Sequence, residues 1–370
     1  MSTHTYWDYL RLSELLTLQG GQEGDEDALL ADELHFIIVH QTYELWFKLV
    51  LRSLRSARNR LAEPRVDEET IPHVVHHLRR ISAILKVAVH QFEVMETLTP
   101  QDFLAFRDKL VPSSGFQSFQ MREMEILLGL ERYQRIHYGN VDPLDHIRNL
   151  AKSSPAGAMA WGCIQRARDE ESLLSALHRW LHRTPIQGST PTNPDDDAVV
   201  TGFLEDYLAA HKANHDGTLE RLIQALDRTD ATKLRARFDT IEEAARSFLF
   251  ADDLENVDDE QRRWHRRVRA AILFIESYRA LPLLAWPRLL LDAVVEMEEQ
   301  LVIWRHRHVR MVERTIGRRV GTGGSDGVAY LEQTVNYRIF RDLWAIRTVM
   351  LPKSKLPVLK NAPLYGFASE

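Results

Sequence analysis

Two long stretches of this 370-residue chain keep their apolar residues on one side of a helix. An α-helix turns about 100° per residue, so positions spaced alternately four and three apart share a face. One such series is Phe36, His40, Tyr43, Phe47, Val50 and Leu54. The other is Val294, Met297, Leu301, Trp304, His308, Met311 and Thr315. Each stripe carries one histidine, and a polar imidazole is costly on an apolar face unless it has a partner. His306 stands two residues before His308, about 200° around the helix. It shares the face of Glu299, Arg310 and Glu313, so the two histidines cannot chelate one metal together.

The helical period runs through nearly the whole chain. It predicts helices over 28–62, 71–96, 116–130, 198–250, 262–281, from there to Ile316, and 328–349. Pro64 ends the first of these, and Thr99-Pro100-Gln101-Asp102 reads as the start of a short helix with proline in its first turn. Pro282 and Pro287 are expected to interrupt the helix before His308. PIQGSTPTNPDDD, residues 185–197, is the clearest loop, a domain boundary or an excursion within a helical domain. There is almost no alternation of the β type and no internal repeat. The expectation is an all-α fold, a single domain over 1–370 with an N-terminal arm over 1–16 and a variable helical insertion over about 150–260.

Composition narrows the chemistry. With 47 basic and 53 acidic residues well mixed, no basic block points to nucleic acid. The arginine-rich RRWHRRVRA at 262–270 reads as a solvated helix face. The single cysteine, Cys163, excludes an intramolecular disulfide framework and a cysteine-rich zinc site, and reads as a small buried hydrophobe. No apolar run reaches membrane-spanning length and the N-terminus has no signal-peptide pattern, so a cytoplasmic location is expected.

A lone histidine on an apolar face is more often a hydrogen-bonded core residue than a ligand. Two of them, each one turn from a large aromatic (Phe36 and Trp304), shift the balance. They are what an all-helical protein needs to hold a haem or a metal beside an open reaction pocket. Arg107, among Phe103, Leu104 and Phe106, can offer a carboxylate its planar fork, or can lay its stem over the core. GTGGSDG at 321–327 fits neither phosphate-loop pattern, since no lysine follows and position 326 is Asp. The letters of a nucleophile elbow at Gly323-x-Ser325-x-Gly327 lack the strand that motif needs. A glycine loop able to close over a small polar ligand, or a plain linker, remains.

In these segments the chain resembles the tryptophan 2,3-dioxygenase family. The segments are YWDYLRL (6–12), FIIVHQTYELWFK (36–48), METLTPQDFLAFRDKL (95–110), PSSGFQSFQMRE (112–123), WRHRHVRMVERTIG (304–317) and GTGGSDGVAYL (321–331). Residues 150–260 resemble it weakly. The resemblance implies an all-α helical bundle binding haem b non-covalently, assembled as a homotetramer, a dimer of dimers. It implies that His308 is the proximal iron ligand with Trp304 beside the haem, and that Ser114 and Gly115 form a turn next to it. It implies that His40 meets the indole N–H and is the catalytic-site histidine, with Phe36 as an aromatic wall and Phe103 where relatives carry Tyr or Phe. Arg107 would grip the substrate carboxylate and Thr322 its polar end, while Tyr6, Tyr9 and Leu10 would complete a neighbouring subunit's pocket. The substrates implied are L-tryptophan and O2, giving N-formyl-kynurenine in tryptophan catabolism, with no nucleic-acid or membrane partner. Asp326 departs from the usual serine, and a carboxylate there repels a substrate carboxylate unless it faces away. Two alternatives stand at this point: a haem hydroxylase of indole or tyrosine derivatives, which needs a reductant, and a non-catalytic haem-binding or haem-sensing protein.

Overall fold

The computed structural model describes residues 4–137, 142–152, 154–224, 228–319, 321 and 327–366. Thr322 and Asp326 therefore lie outside the described residues. Among those described there are helices and no strands, as the period predicted, and one isolated bridge pairs Ile186 with Ser189.

The chain divides into two compact units. One comprises residues 1–56, 77–172 and 296–339; the other comprises 57–76, 173–295 and 340–370. The 150–260 segment contributes to both.

The first unit carries most of helix Ala31–Leu61, of Thr70–Met95 and of Ala285–Ile316. The predicted stripes face inward: Tyr43, Phe47, Val50 and Leu54 on one helix, and Leu301, Trp304 and Met311 on the other, are buried. Their rings interlock with a third helix through Phe92, which lies 5.2 Å from Tyr43 and 5.7 Å from Trp304. Tyr43 satisfies its hydroxyl within this core by donating to the Ala88 carbonyl at 2.9 Å. Thr99 caps helix Pro100–Phe106 and Ser118 caps Phe119–Leu128, the latter packing on Pro155–Asp169. Gly129 ends it at φ 120°, a backbone angle that side chains resist.

In the second unit helices Leu173–His182, Asp196–Ile223, Arg228–Phe250 and Asp259–Ser277 pack in neighbouring pairs around Phe203, Tyr207, Ile272 and Phe274. Here the arginine run departs from expectation. Arg267 and Arg269 are only 4% and 3% exposed. Arg267 donates to the carbonyls of His182, Thr184 and Ser189, and Arg269 pairs with Asp253 and Asp342. The arginines cap carbonyl ends that the local charge pattern cannot reveal.

The break falls where Pro282 and Pro287 put it: helix Asp259–Ser277 ends before them, and Ala285–Ile316 begins with Pro287 in its first turn, where no intrahelical N–H bond is required. Two other expectations change. The predicted helix over 328–349 is instead Val328–Thr334, Arg341–Ala345 and a tight turn at Ile346–Val349. Tertiary bonds hold the break: Ile339 N–H donates to buried Glu298 at 2.5 Å, and Ile136 N–H donates to the Tyr337 hydroxyl at 2.8 Å. Cys163 is half-buried rather than buried, with the Arg166 guanidinium 3.1 Å from its sulfur.

Candidate active site

The first unit encloses a cavity of about 360 Å³ lined by Phe36, His40, Phe92, Trp304 and His308 among others. A second space of about 140 Å³ shares Phe36, His40, Phe103, Ser114, Gly115 and His308 with it and adds Arg107, Gly321 and Gly327. Both volumes together suit a small-molecule or cofactor site. The structure thus gathers His40, His308, Phe36, Phe103, Arg107, Ser114 and Gly115 around one space, and Trp304 lines its larger part. It does not bring Tyr6, Tyr9 or Leu10 there. These lie on a five-residue helix and are 70%, 83% and 41% exposed. The ends of the glycine loop reach the cavity at Gly321 and Gly327. Gly327 has φ 47°, and a Cβ there would press on the Arg319 carbonyl oxygen at 3.2 Å.

His40 owes its state to its own helix. Its Nδ1 donates to the Phe36 carbonyl oxygen at 2.8 Å, which leaves Nε2 as the lone-pair nitrogen. Burial lowers its pKa, outweighing that carbonyl contact. The Phe36 ring lies 4.0 Å from the imidazole, and Phe103 is 5.8 Å beyond it.

His308 stacks parallel to Phe92 at 5.8 Å and lies 5.1 Å from the Trp304 ring. Burial, with smaller contributions from His40 and Arg305, pushes its pKa down to about 3. A neutral imidazole keeps a nitrogen lone pair available to a metal. His306, two residues away, is exposed.

A charged wall completes the site. Glu125 is wholly buried and receives Arg122 at 2.9 Å, Arg135 at 2.7 Å and Arg305 at 2.8 Å. Burial alone would raise its pKa, but the three guanidiniums override that and hold it at about 2. Arg122 and Arg305 line the larger cavity, and Arg305 also rests over the Tyr337 ring at 4.8 Å. This cluster escaped the sequence reading. Its one local signal is Glu125 on the stripe of Met121, Met124 and Leu128, where an unpaired carboxylate would be prohibitive.

The residues suit haem. A neutral inward imidazole, apolar walls and a positively charged side are present, and Trp304 Nε1 is buried with no hydrogen-bond partner. A Cβ added at Gly115 would meet no protein atom within 4 Å, leaving its backbone open to a ligand.

The sequence profile of the family described as Tryptophan 2,3-dioxygenase matches residues 1–350. The chain belongs to the tryptophan 2,3-dioxygenase family. Its relatives include Tryptophan 2,3-dioxygenase 2 of Ralstonia nicotianae, 46% identical over 375 residues, covering 100% of this chain and 99% of the relative. Tryptophan 2,3-dioxygenase of Sorangium cellulosum is 46% identical over 367 residues, with 99% and 88% covered. A Tryptophan 2,3-dioxygenase-like protein of Xanthomonas campestris is 47% identical over 273 residues, 74% of this chain and 99% of that one. With the family comes its reaction, haem-dependent opening of tryptophan's indole C2–C3 bond to N-formyl-kynurenine. Among the described residues no helix is long and apolar enough to cross a membrane.

Proposed function

We propose that the paired cavities are where this chain carries out that dioxygenation, with non-covalent haem b on His308 and L-tryptophan between His40 and Arg107. The observation that carries the reading is the convergence of two neutral imidazoles, from two helices, on one largely apolar cavity. Bound haem iron supplies the binding and activation of dioxygen.

The remaining work falls to this chain's side chains. His308 offers its lone pair because burial keeps it unprotonated throughout the neutral range. Arg122 and Arg305, both held in place by Glu125, would meet the acidic groups of the porphyrin. His40 presents Nε2 as an acceptor for the indole N–H. Phe36 and Phe103 wall that end and exclude water. Arg107, with Thr322 in the glycine loop, holds the zwitterionic end of the amino acid. Fixing both ends aims the indole C2–C3 bond, and such positioning is a large part of catalysis. Both oxygen atoms enter the product, so no net reductant is consumed.

The exposed segment Tyr6–Leu10 fits a place at the neighbouring subunit's pocket in a homotetramer, since exposed aromatics of this size seek a second surface. The deciding experiment is aerobic incubation of the haem-replete ferrous protein with L-tryptophan. Appearance of N-formyl-kynurenine absorbance without added reductant is expected; no product, or a hydroxylated one, rejects the reading.

A further inference from the structure

In the second unit, a cluster of metal-ligand type lies on side chains that line neither cavity at His40 and His308. His211 and His215 stand four residues apart on helix Asp196–Ile223, which places both rings on one face. Their centroids are 4.1 Å apart. Glu242, on helix Arg228–Phe250, reaches across to them. Its Oε1 lies 3.0 Å from His211 Nδ1 and 2.5 Å from His215 Nδ1. One ligand atom from each of the three falls within 4.8 Å of the others.

Hydrogen bonding accounts for only part of this convergence. His211 has a bond to the other carboxylate oxygen, Oε2, at 3.1 Å. His215 Nδ1 and Glu242 Oε1, however, are both buried atoms without a hydrogen-bond partner, although they face each other at contact distance. Buried polar atoms are almost always satisfied, and each exception asks for its missing partner. A cation taking one ligand atom from each of the three, with the His211 Nδ1 proton released on binding, would complete the cluster.

We propose that His211, His215 and Glu242 form a zinc site that ties the two helices together. Two imidazoles and one carboxylate are a recurrent three-ligand zinc set, with water in the fourth position. Oxygen-seeking ions such as Mg²⁺ and Ca²⁺ are poorly served by two nitrogens, and copper(I) favours sulfur. Tetrahedral zinc with bonds of about 2.0–2.1 Å separates its ligand atoms by roughly 3.3 Å. The His211–Glu242 spacing of 3.0 Å is close to that, and His215 needs to withdraw by less than about 1 Å. His211 is buried, while the side chains of His215 and Glu242 are 22% and 19% exposed. They leave an open side for ion entry and for the water ligand. The helices are consecutive in the chain, joined through residues 224–227, so the ion would pin a helical hairpin.

The test uses the full-length haem protein, stripped of loosely bound metal, with Zn²⁺ alone as the probe. Competition against a zinc indicator should show one site per chain, weakened at least ~30-fold in His215→Ala and in Glu242→Gln, since loss even of an outer partner costs 10- to 100-fold. Helical circular dichroism and the Soret band should match the parent, and saturating zinc should raise the melting temperature of the parent by about 3 °C or more but not that of the variants. X-ray absorption on the zinc-loaded parent needs no variant and should show two imidazoles with oxygen filling the remaining shell. Equal zinc affinity in parent and variants overturns the proposal. So does a parent with no site tighter than ~100 µM, or a shell without two imidazoles.

Discussion

His40 Nδ1 donates its proton to the carbonyl oxygen of Phe36, one turn earlier on the same helix, at 2.8 Å. The other ring nitrogen, Nε2, is then an acceptor, and burial lowers the His40 pKa below the ordinary 6.5. His40→Ala should therefore lose one neutral hydrogen bond, about 1 kcal/mol or roughly fivefold in kcat/KM, and keep its haem. An obligatory base would cost about 100- to 10,000-fold. The same proton inventory fixes the pH profile: His40 works when neutral, so any acid limb it causes lies below pH 6.5. Steady-state rates of product formation across pH check both, and a limb above that value would reject the tautomer assignment.

His308→Ala is expected to purify with most of its haem lost, whereas His306→Ala retains it. The first residue lines the cavity and the second is exposed. Haem content per chain from the pyridine haemochrome spectrum decides the matter, and equal loss in both refutes the assignment of the ligand.

Arg107→Ala removes a charge-assisted fork worth about 2–4 kcal/mol, or roughly 30- to 1000-fold in kcat/KM. The Soret band should not move. Tryptamine, which lacks the carboxylate, provides the control: the variant and the parent should handle it alike.

Glu125→Gln leaves three guanidiniums around a neutral amide, a break expected to cost about 3–5 kcal/mol. The urea midpoint should fall accordingly. The pH dependence follows from the sign of the shift. Glu125 is held at about 2 against an ordinary 4.5, so its stabilisation is complete above 4.5 and disappears as pH falls to about 2. Urea midpoints that decline equally with acid in parent and Glu125→Gln would show that Glu125 is not the group responsible.

A chain lacking residues 1–12 should keep its helical circular dichroism but lose turnover and tryptophan affinity. Mixed oligomers with a His308→Ala partner should recover part of the activity, because the partner's arm is intact. No recovery in verified mixed oligomers places the arm in its own subunit.

The two stripes were legible because they are local: a period of three and four needs no knowledge of distant chain, and it separated His308 from His306. Ser114, Gly115 and Phe103 were readable only through likeness to a family, and the aromatic neighbours of Arg107 left its role open, since nothing in their spacing brings them to His40. The Glu125 cluster joins residues up to 180 apart in sequence, and no local pattern reports that. The break after Thr334 was hidden for the converse reason. The helical period continues there, but Glu298 takes the Ile339 N–H away from it. The arginines at 267 and 269 were misread because the carbonyls they cap belong to other helices.

The Glu125 cluster also constrains how relatives of this chain can drift apart. Four side chains that satisfy one another cannot be exchanged singly, because each intermediate strands a buried charge. They can be exchanged together for apolar residues, at little cost to the fold. Such a wholesale exchange would keep the helical scaffold and discharge the cavity wall beside His308. With Arg122 and Arg305 serving the prosthetic group as proposed, positions 122, 125, 135 and 305 read jointly would mark scaffolds still fitted for an anionic prosthetic group.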